Sequence, residues 1–190
     1  MARQGRIDMD KLRQNVQSLE ELFAANPNSG LARLEIRTRL LEDVLAEASW
    51  SQYGKEFVVR CDEAGGRGGQ GDAPSPLRYF VCGIAMCQQL WFAKAAALVD
   101  CIVEDLVIDL HASIDMRGEF KLAPLPGEQQ AMIFDVHVRS PSTPERVLQM
   151  VDEGNSRSPL YHVVAHAFPI YERVVHNDAL IRDTVPAHLA

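Results

Sequence analysis

No charge-free apolar run in this sequence is long enough to cross a bilayer. The longest, from Tyr79 to Ala93, covers fifteen residues before Lys94, against the roughly 20 that a helical span needs. There is no block of Lys or Arg either. Lys plus Arg number 19 against 26 Asp plus Glu, so the net charge is −7 and the pI is about 5.3. A chain this acidic has no general attraction to phosphate backbones or anionic lipid, and neither nucleic acid nor a membrane is expected as a partner. Residues 1–8 lack the apolar core of a signal peptide, which places the chain in the cytosol. There its four cysteines, Cys61, Cys82, Cys87 and Cys101, are expected as free thiols rather than bridges. No CxxC occurs. Cys82 and Cys87 would stand about 140° apart around a helix, neither a redox pair nor half of a zinc site. No metal or cofactor is called for. The glycine-rich run 65–71, GGRGGQG, lacks both the lysine of a phosphate loop and a GxGxxG fingerprint in a strand–helix setting. It reads as a flexible connector.

What is present is ordinary globular usage, 47% hydrophobic and 24% charged over 190 residues, enough for one domain. We divide it into a helical extension, 1–29, and a principal domain, 30–190. Leu12, Val16, Leu19, Leu22 and Phe23 keep helical spacing from a cap at Asp8 to about Ala25, and the Asn26–Gly30 run stops the helix. Leu34, Ile36, Thr38 and Leu40 alternate with Arg33, Glu35, Arg37 and Arg39, predicting a half-buried strand with a basic face. Two short strands follow, Val44–Trp50 and Phe57–Cys61, completing an antiparallel meander. Ser75-Pro76 opens a long helix reaching about Leu98, apolar nearly all round and therefore expected to be buried on every face. Strands are predicted over Val103–Met116 and Met132–Val138, joined by a loop, Leu122–Gln130, that carries Pro124 and Pro126. A helix from Thr143 to about Asp152 breaks at Asn155–Arg157. Ser158-Pro159 starts another reaching about Ala167, and Arg173–Ile181 is the closing strand. This order is α+β rather than doubly wound α/β. A partner subunit would finish covering the long helix.

Cys87 is the candidate for chemistry, although a free cysteine in a buried helix commonly serves as a small hydrophobe. Ala73-Pro-Ser-Pro-Leu77 leads into a hydrophobic helix with Cys87 eleven residues beyond Pro76. Thr143-Pro-Glu-Arg-Val-Leu, a short break and the Ser158-Pro159 step follow later. In order and spacing this resembles the OsmC/Ohr family (osmotically inducible protein C and organic hydroperoxide resistance proteins), from about Leu31 to the C-terminus. The resemblance implies an intertwined homodimer with curved antiparallel sheets around the long helix. It also implies a thiol-dependent peroxidase of organic hydroperoxides. A first cysteine, at the position of Cys87, is oxidised to a sulfenic acid. A second cysteine condenses with it, and a cellular dithiol reduces the disulfide.

The sequence departs from that pattern at two places. Ser158 stands where the family has its second cysteine, and Leu77 stands where an acidic residue follows the proline of the helix start. The resemblance implies an arginine from the first strands to favour the thiolate, with Arg37 and Arg39 as candidates. Burial alone disfavours a thiolate, so some cation is required. His162, one turn beyond Ser158 on its helix, is another candidate, with His166 at the same spacing; both equally suit a partly exposed histidine face. Two readings stay open. One is an oxidoreductase using Cys87, resolved by an external thiol or by Cys82 or Cys101. The other is a non-catalytic dimer that binds a small hydrophobic molecule.

Overall fold

The computed structural model describes residues 5–122, 129–167 and 169–189. The described residues hold four α-helices and two sheets, an α+β architecture. They group into two compact units, one of residues 1–20 with 84–190 and one of residues 21–83.

The smaller unit is a meander. Strands β1 (Arg37–Glu42), β2 (Leu45–Gln52) and β3 (Lys55–Cys61) pair antiparallel in sequence order. Tyr53 and Gly54, both at positive φ (55° and 71°), make the two-residue turn whose twist suits a hairpin. The sequence pattern extends the first strand back to Leu34, but regular pairing begins at Arg37. That strand is also exposed along its whole length rather than half buried. The alternation survives in the register: Arg39 and Arg60 flank Glu47 across three strands, and both bond its carboxylate at 2.7 and 3.3 Å. The two guanidinium groups hold the Glu47 carboxyl below its ordinary range.

The glycine-rich segment is folded and not a flexible connector. The buried Asp62 carboxylate accepts the backbone N–H groups of Glu63, Gln70 and Asp72 at 2.8–3.1 Å. These bonds hold its pKa below the ordinary aspartate value. Gly69 must be glycine, since a Cβ there would collide with the Glu63 carbonyl. Any anion at these amides would have to displace a carboxylate already in place.

The larger unit starts with α1 (Met9–Ala25), capped by Asp8 through the Lys11 N–H at 3.1 Å. Its Val16 is buried, and Arg13 bonds the Ala97 carbonyl at 2.9 Å. Helix α2 (Pro76–Leu98) begins and ends where the sequence predicts. By length and composition alone it could cross a bilayer. However, Ile84, Phe92, Ala95 and Ala96 recur at helical spacing and belong to the core. The expectation of burial on every face fails in the single chain. Met86 and Leu90 are each 62% exposed, and Leu77, Tyr79 and Phe80 are exposed too.

The second sheet runs β4 (Asp105–Ile114), β5 (Gln129–Arg139), β6 (Ile170–His176), β7 (Ala179–Asp183). Pro124 and Pro126 of the intervening loop lie outside the described residues, and Gln129 and Gln130 belong to β5 rather than to that loop. β4 alternates as predicted, with Val107, Asp109, His111 and Ser113 outward. The expected single closing strand is instead a hairpin. Asn177 and Asp178 at φ 47° and 66° turn the chain, and His176 faces Ala179. β6 pairs parallel with β5, so the link between them is a crossover rather than a tight turn.

Two helices make that crossover, α3 (Pro144–Arg157) and α4 (Pro159–Ala165). The Thr143 hydroxyl caps α3 by accepting from the Arg146 N–H at 3.4 Å. Where the sequence suggests a break after Asp152, α3 continues to Arg157. Gly154 allows the Phe92 ring of α2 to lie on the helix, since a Cβ at 154 would strike that ring. This contact outweighs the roughly 1 kcal/mol that glycine costs a helix. Phe92, Phe134, Met132, Met150, Val147 and Val151 then close the core.

Candidate functional site

Cys87 lies on α2, half buried, one residue before the buried Gln88. Its Sγ is 3.5 Å from the Oγ of Ser158. Ser158 is fully buried at the corner between α3 and α4. Its backbone N–H donates to the Gly154 carbonyl at 3.1 Å, which closes α3, and its hydroxyl accepts the Tyr161 N–H at 3.4 Å, which caps α4. The proline at 159 suits the first position of the new helix. One residue therefore ends a helix, begins the next and presents its hydroxyl to the thiol.

A line of buried polar groups runs beside this pair. Gln88 Nε2 donates to Asn155 Oδ1, and Asn155 Nδ2 donates to Glu172 Oε1 at 2.5 Å. The other Glu172 oxygen accepts from Arg182 at 3.2 Å, and Arg182 also pairs with Asp152 at 2.7 Å. Burial pushes the Glu172 carboxyl above its ordinary value, against the pull of Asn155 and Arg182. The Gln88 amide oxygen is buried and has no hydrogen-bond partner among the described residues. Only Gln88 carried a trace of this in the sequence, as an amide between Ile84 and Phe92 on an apolar helix. Asn155 reads as a helix breaker, and Glu172 falls just before the predicted closing strand.

The other candidates are placed elsewhere. His162 is exposed, and its Nε2 donates to the Ser156 carbonyl at 2.9 Å; it dresses the end of α3, and no hydrogen bond joins it to Cys87 among the described residues. His166 follows α4, with Nδ1 at 2.6 Å from the His162 carbonyl. Arg37 and Arg39 belong to the meander unit, where Arg39 is taken up by Glu47. Cys82 is exposed. Cys101 is wholly buried near the Ser140 hydroxyl, and burial pushes its thiol pKa up. A thiol so placed makes a poor resolver. Among the described residues no group of three or more His, Cys, Asp or Glu could hold a metal ion.

Two sheets of three and four strands, a long helix bearing a half-buried thiol, and a helix–Pro–helix corner against that thiol define an α+β protein of OsmC-like architecture. The family model for OsmC-like protein matches residues 69–173, more than half of the chain and both sides of the Cys87–Ser158 contact. The chain belongs to that family. Similar solved structures include an OsmC-like protein from Mycoplasma pneumoniae, at 15% identity and TM-score 0.60 over 76% of this chain and 99% of that one. An organic hydroperoxide resistance protein OsmC from Legionella pneumophila is similar at 15% identity and TM-score 0.56, over 76% of this chain and 98% of that one. An organic hydroperoxide resistance protein from Elizabethkingia anophelis, with thiocyanate bound, is similar at 13% identity and TM-score 0.57, over 77% and 99%. At these identities the likeness is one of fold. No curated protein matches the chain.

Proposed function

We propose that the chain is a cytosolic, homodimeric, thiol-dependent peroxidase of organic hydroperoxides, with Cys87 as its nucleophile and no resolving cysteine. The supporting observation is the 3.5 Å approach of Cys87 Sγ to Ser158 Oγ. It puts a hydroxyl at the place where the family's second thiol would resolve the first. The Cys87 thiolate attacks one peroxide oxygen; the O–O bond breaks, the cysteine becomes a sulfenic acid and the alkoxide leaves as an alcohol after taking a proton. Serine cannot form a disulfide. The sulfenic acid therefore awaits an external dithiol, which is oxidised to a disulfide as Cys87 returns to a thiol and water is released. The resemblance implies that Arg37 or Arg39 supplies the cation that favours the thiolate; Arg39 is already paired with Glu47. The exposed Met86 and Leu90 of α2 support a dimer, because single chains rarely leave such apolar surface open.

Stoichiometric cumene hydroperoxide should give a Cys87 sulfenic acid that dimedone traps, read by mass spectrometry. Cys87→Ser should abolish peroxide consumption, and whichever of Arg37→Ala and Arg39→Ala removes the implied cation should slow trapping. An inert Cys87 would leave the second reading, a dimer that binds a small apolar molecule without chemistry. The Ser158 hydroxyl favours that alternative, since it acts as a helix cap whether or not a thiol reacts beside it. Light scattering that showed a monomer at micromolar concentration would remove the dimer from both readings.

A further inference from the structure

The Gln88–Asn155–Glu172 line joins three segments that are distant in sequence. Gln88 is on α2, beside Cys87. Asn155 is on the last turn of α3, three residues before Ser158. Glu172 is on β6, where Arg182 of β7 holds its second oxygen. The primary amide of Asn155 is the middle link of this line, accepting from Gln88 and donating to Glu172. Gln88 and Glu172 are 1% and 6% exposed, so water cannot replace either bond freely. A broken link would leave a buried polar group unpaired. The remaining links between Cys87 and the α3–α4 corner are the weak thiol–hydroxyl contact and apolar packing, and neither fixes direction closely.

We infer that Asn155 is the positioning residue of the Cys87–Ser158 pair: its amide fixes the α3–α4 corner to α2 and to β6 at the level of the thiol. The inference deepens the peroxidase reading above, since it concerns how the reactive pair is held. Its chemistry is acceptor geometry rather than charge. A glutamine at 172 would still accept from Asn155 Nδ2, whereas a leucine would not.

The test uses Ser158→Cys, so that the approach of the two side chains can be read as the effective concentration of a disulfide between Cys87 and the introduced thiol in a glutathione redox buffer. No hydroperoxide is involved, so an inert Cys87 in the peroxide assay and failure here remain separate outcomes. In that background Asn155→Ala and Glu172→Leu should each lower the effective concentration at least tenfold, while Glu172→Gln should stay within about twofold. Loss of stability alone would not follow that order, because Glu172→Gln also removes one of the two charge partners of Arg182. If Asn155→Ala leaves the effective concentration within twofold, or Glu172→Gln lowers it as much as Glu172→Leu, the inference is wrong. Should Ser158→Cys fail to fold, the iodoacetamide alkylation rate of Cys87 in the otherwise native chain replaces it. The rate should change at least fivefold with Asn155→Ala and less than twofold with Glu172→Gln, and equal effects would overturn the proposal.

Discussion

Strand β5 hides Met132, Phe134, Val136 and Val138 almost completely, whereas every residue of β1 is exposed. Both strands come from alternating sequence, so alternation by itself does not decide burial. The difference lies in what covers the apolar side. In the larger unit the buried residues of the sheet join those of α2, α3 and α4 in one cluster. In the meander Leu40 and Val58 stay 68% and 58% exposed in the single chain. The larger unit encloses a core of its own, and the meander leaves its apolar side chains exposed in the single chain.

The largest effect that sharpens this contrast is expected at Phe92. Phe92→Ala empties the centre of the α2–α3 contact and should cost about 3–5 kcal/mol in denaturant unfolding. Leu40→Ala should shift the monomer by less than about 0.5 kcal/mol. If dimerisation covers the meander, Leu40→Ala should instead lower stability in a way that grows as protein concentration rises. A large Leu40 effect in a proven monomer would break the comparison.

An intermediate effect is expected from Asp62→Ala, which leaves several loop N–H groups without their acceptor. Amide exchange at Gln70 and Asp72 should quicken by roughly tenfold or more as the loop opens locally, and the larger unit should stay unchanged. Hydrogen exchange read by mass spectrometry resolves the two units. Equal deprotection of β3 and β5 would show that they unfold together.

The smallest effect is one of pH, and Glu172 should respond with a sign opposite to that of Asp62 and Glu47. Asp62 and Glu47 are held below their ordinary values, so the stability they lend is present above about pH 4 and lost as pH falls through their native values. Glu172 is held above its ordinary value. Its contribution is therefore fullest below about pH 4 and declines as pH rises through its native value. Acidification should weaken the Asp62 and Glu47 bonds of the meander, and Glu172→Gln should remove the opposing contribution of Glu172 from the larger unit's pH dependence. Parallel acid responses in exchange rates, corrected for intrinsic chemistry, would contradict this assignment.

Much of this structure is readable from local chemistry, and the misreadings share a cause. Ser75-Pro76 starts α2 where a serine–proline pair predicts, and the Tyr53-Gly54 turn follows from glycine in a hairpin. The β6–β7 turn was hidden because Asn177-Asp178 adopts positive φ without a glycine to announce it. α3 outran its expected break because it packs through Gly154 against Phe92 of another helix. At the site, Cys87 and Ser158 were legible through their spacing within a family pattern. Asn155 and Glu172 were not, because their meaning exists only once α2, α3 and β6 are side by side. Tertiary contact decided all of these cases except the β6–β7 turn.

The parallel pairing of β5 with β6 also bears on how the thiol fares before the fold is complete. A hairpin can join β4 to β5 early, but β6 must wait for the whole α3–α4 crossover, and such non-local pairings form slowly. Ser158 follows Cys87 by 71 residues. At about 5–20 residues per second of synthesis, the thiol emerges roughly 4–14 s before the residue that will cover it. During that interval Cys87 lacks its contact with Ser158. A pulse of alkylating reagent during refolding should therefore label Cys87 faster before the β6 amides gain exchange protection than after it, and the two signals should change together.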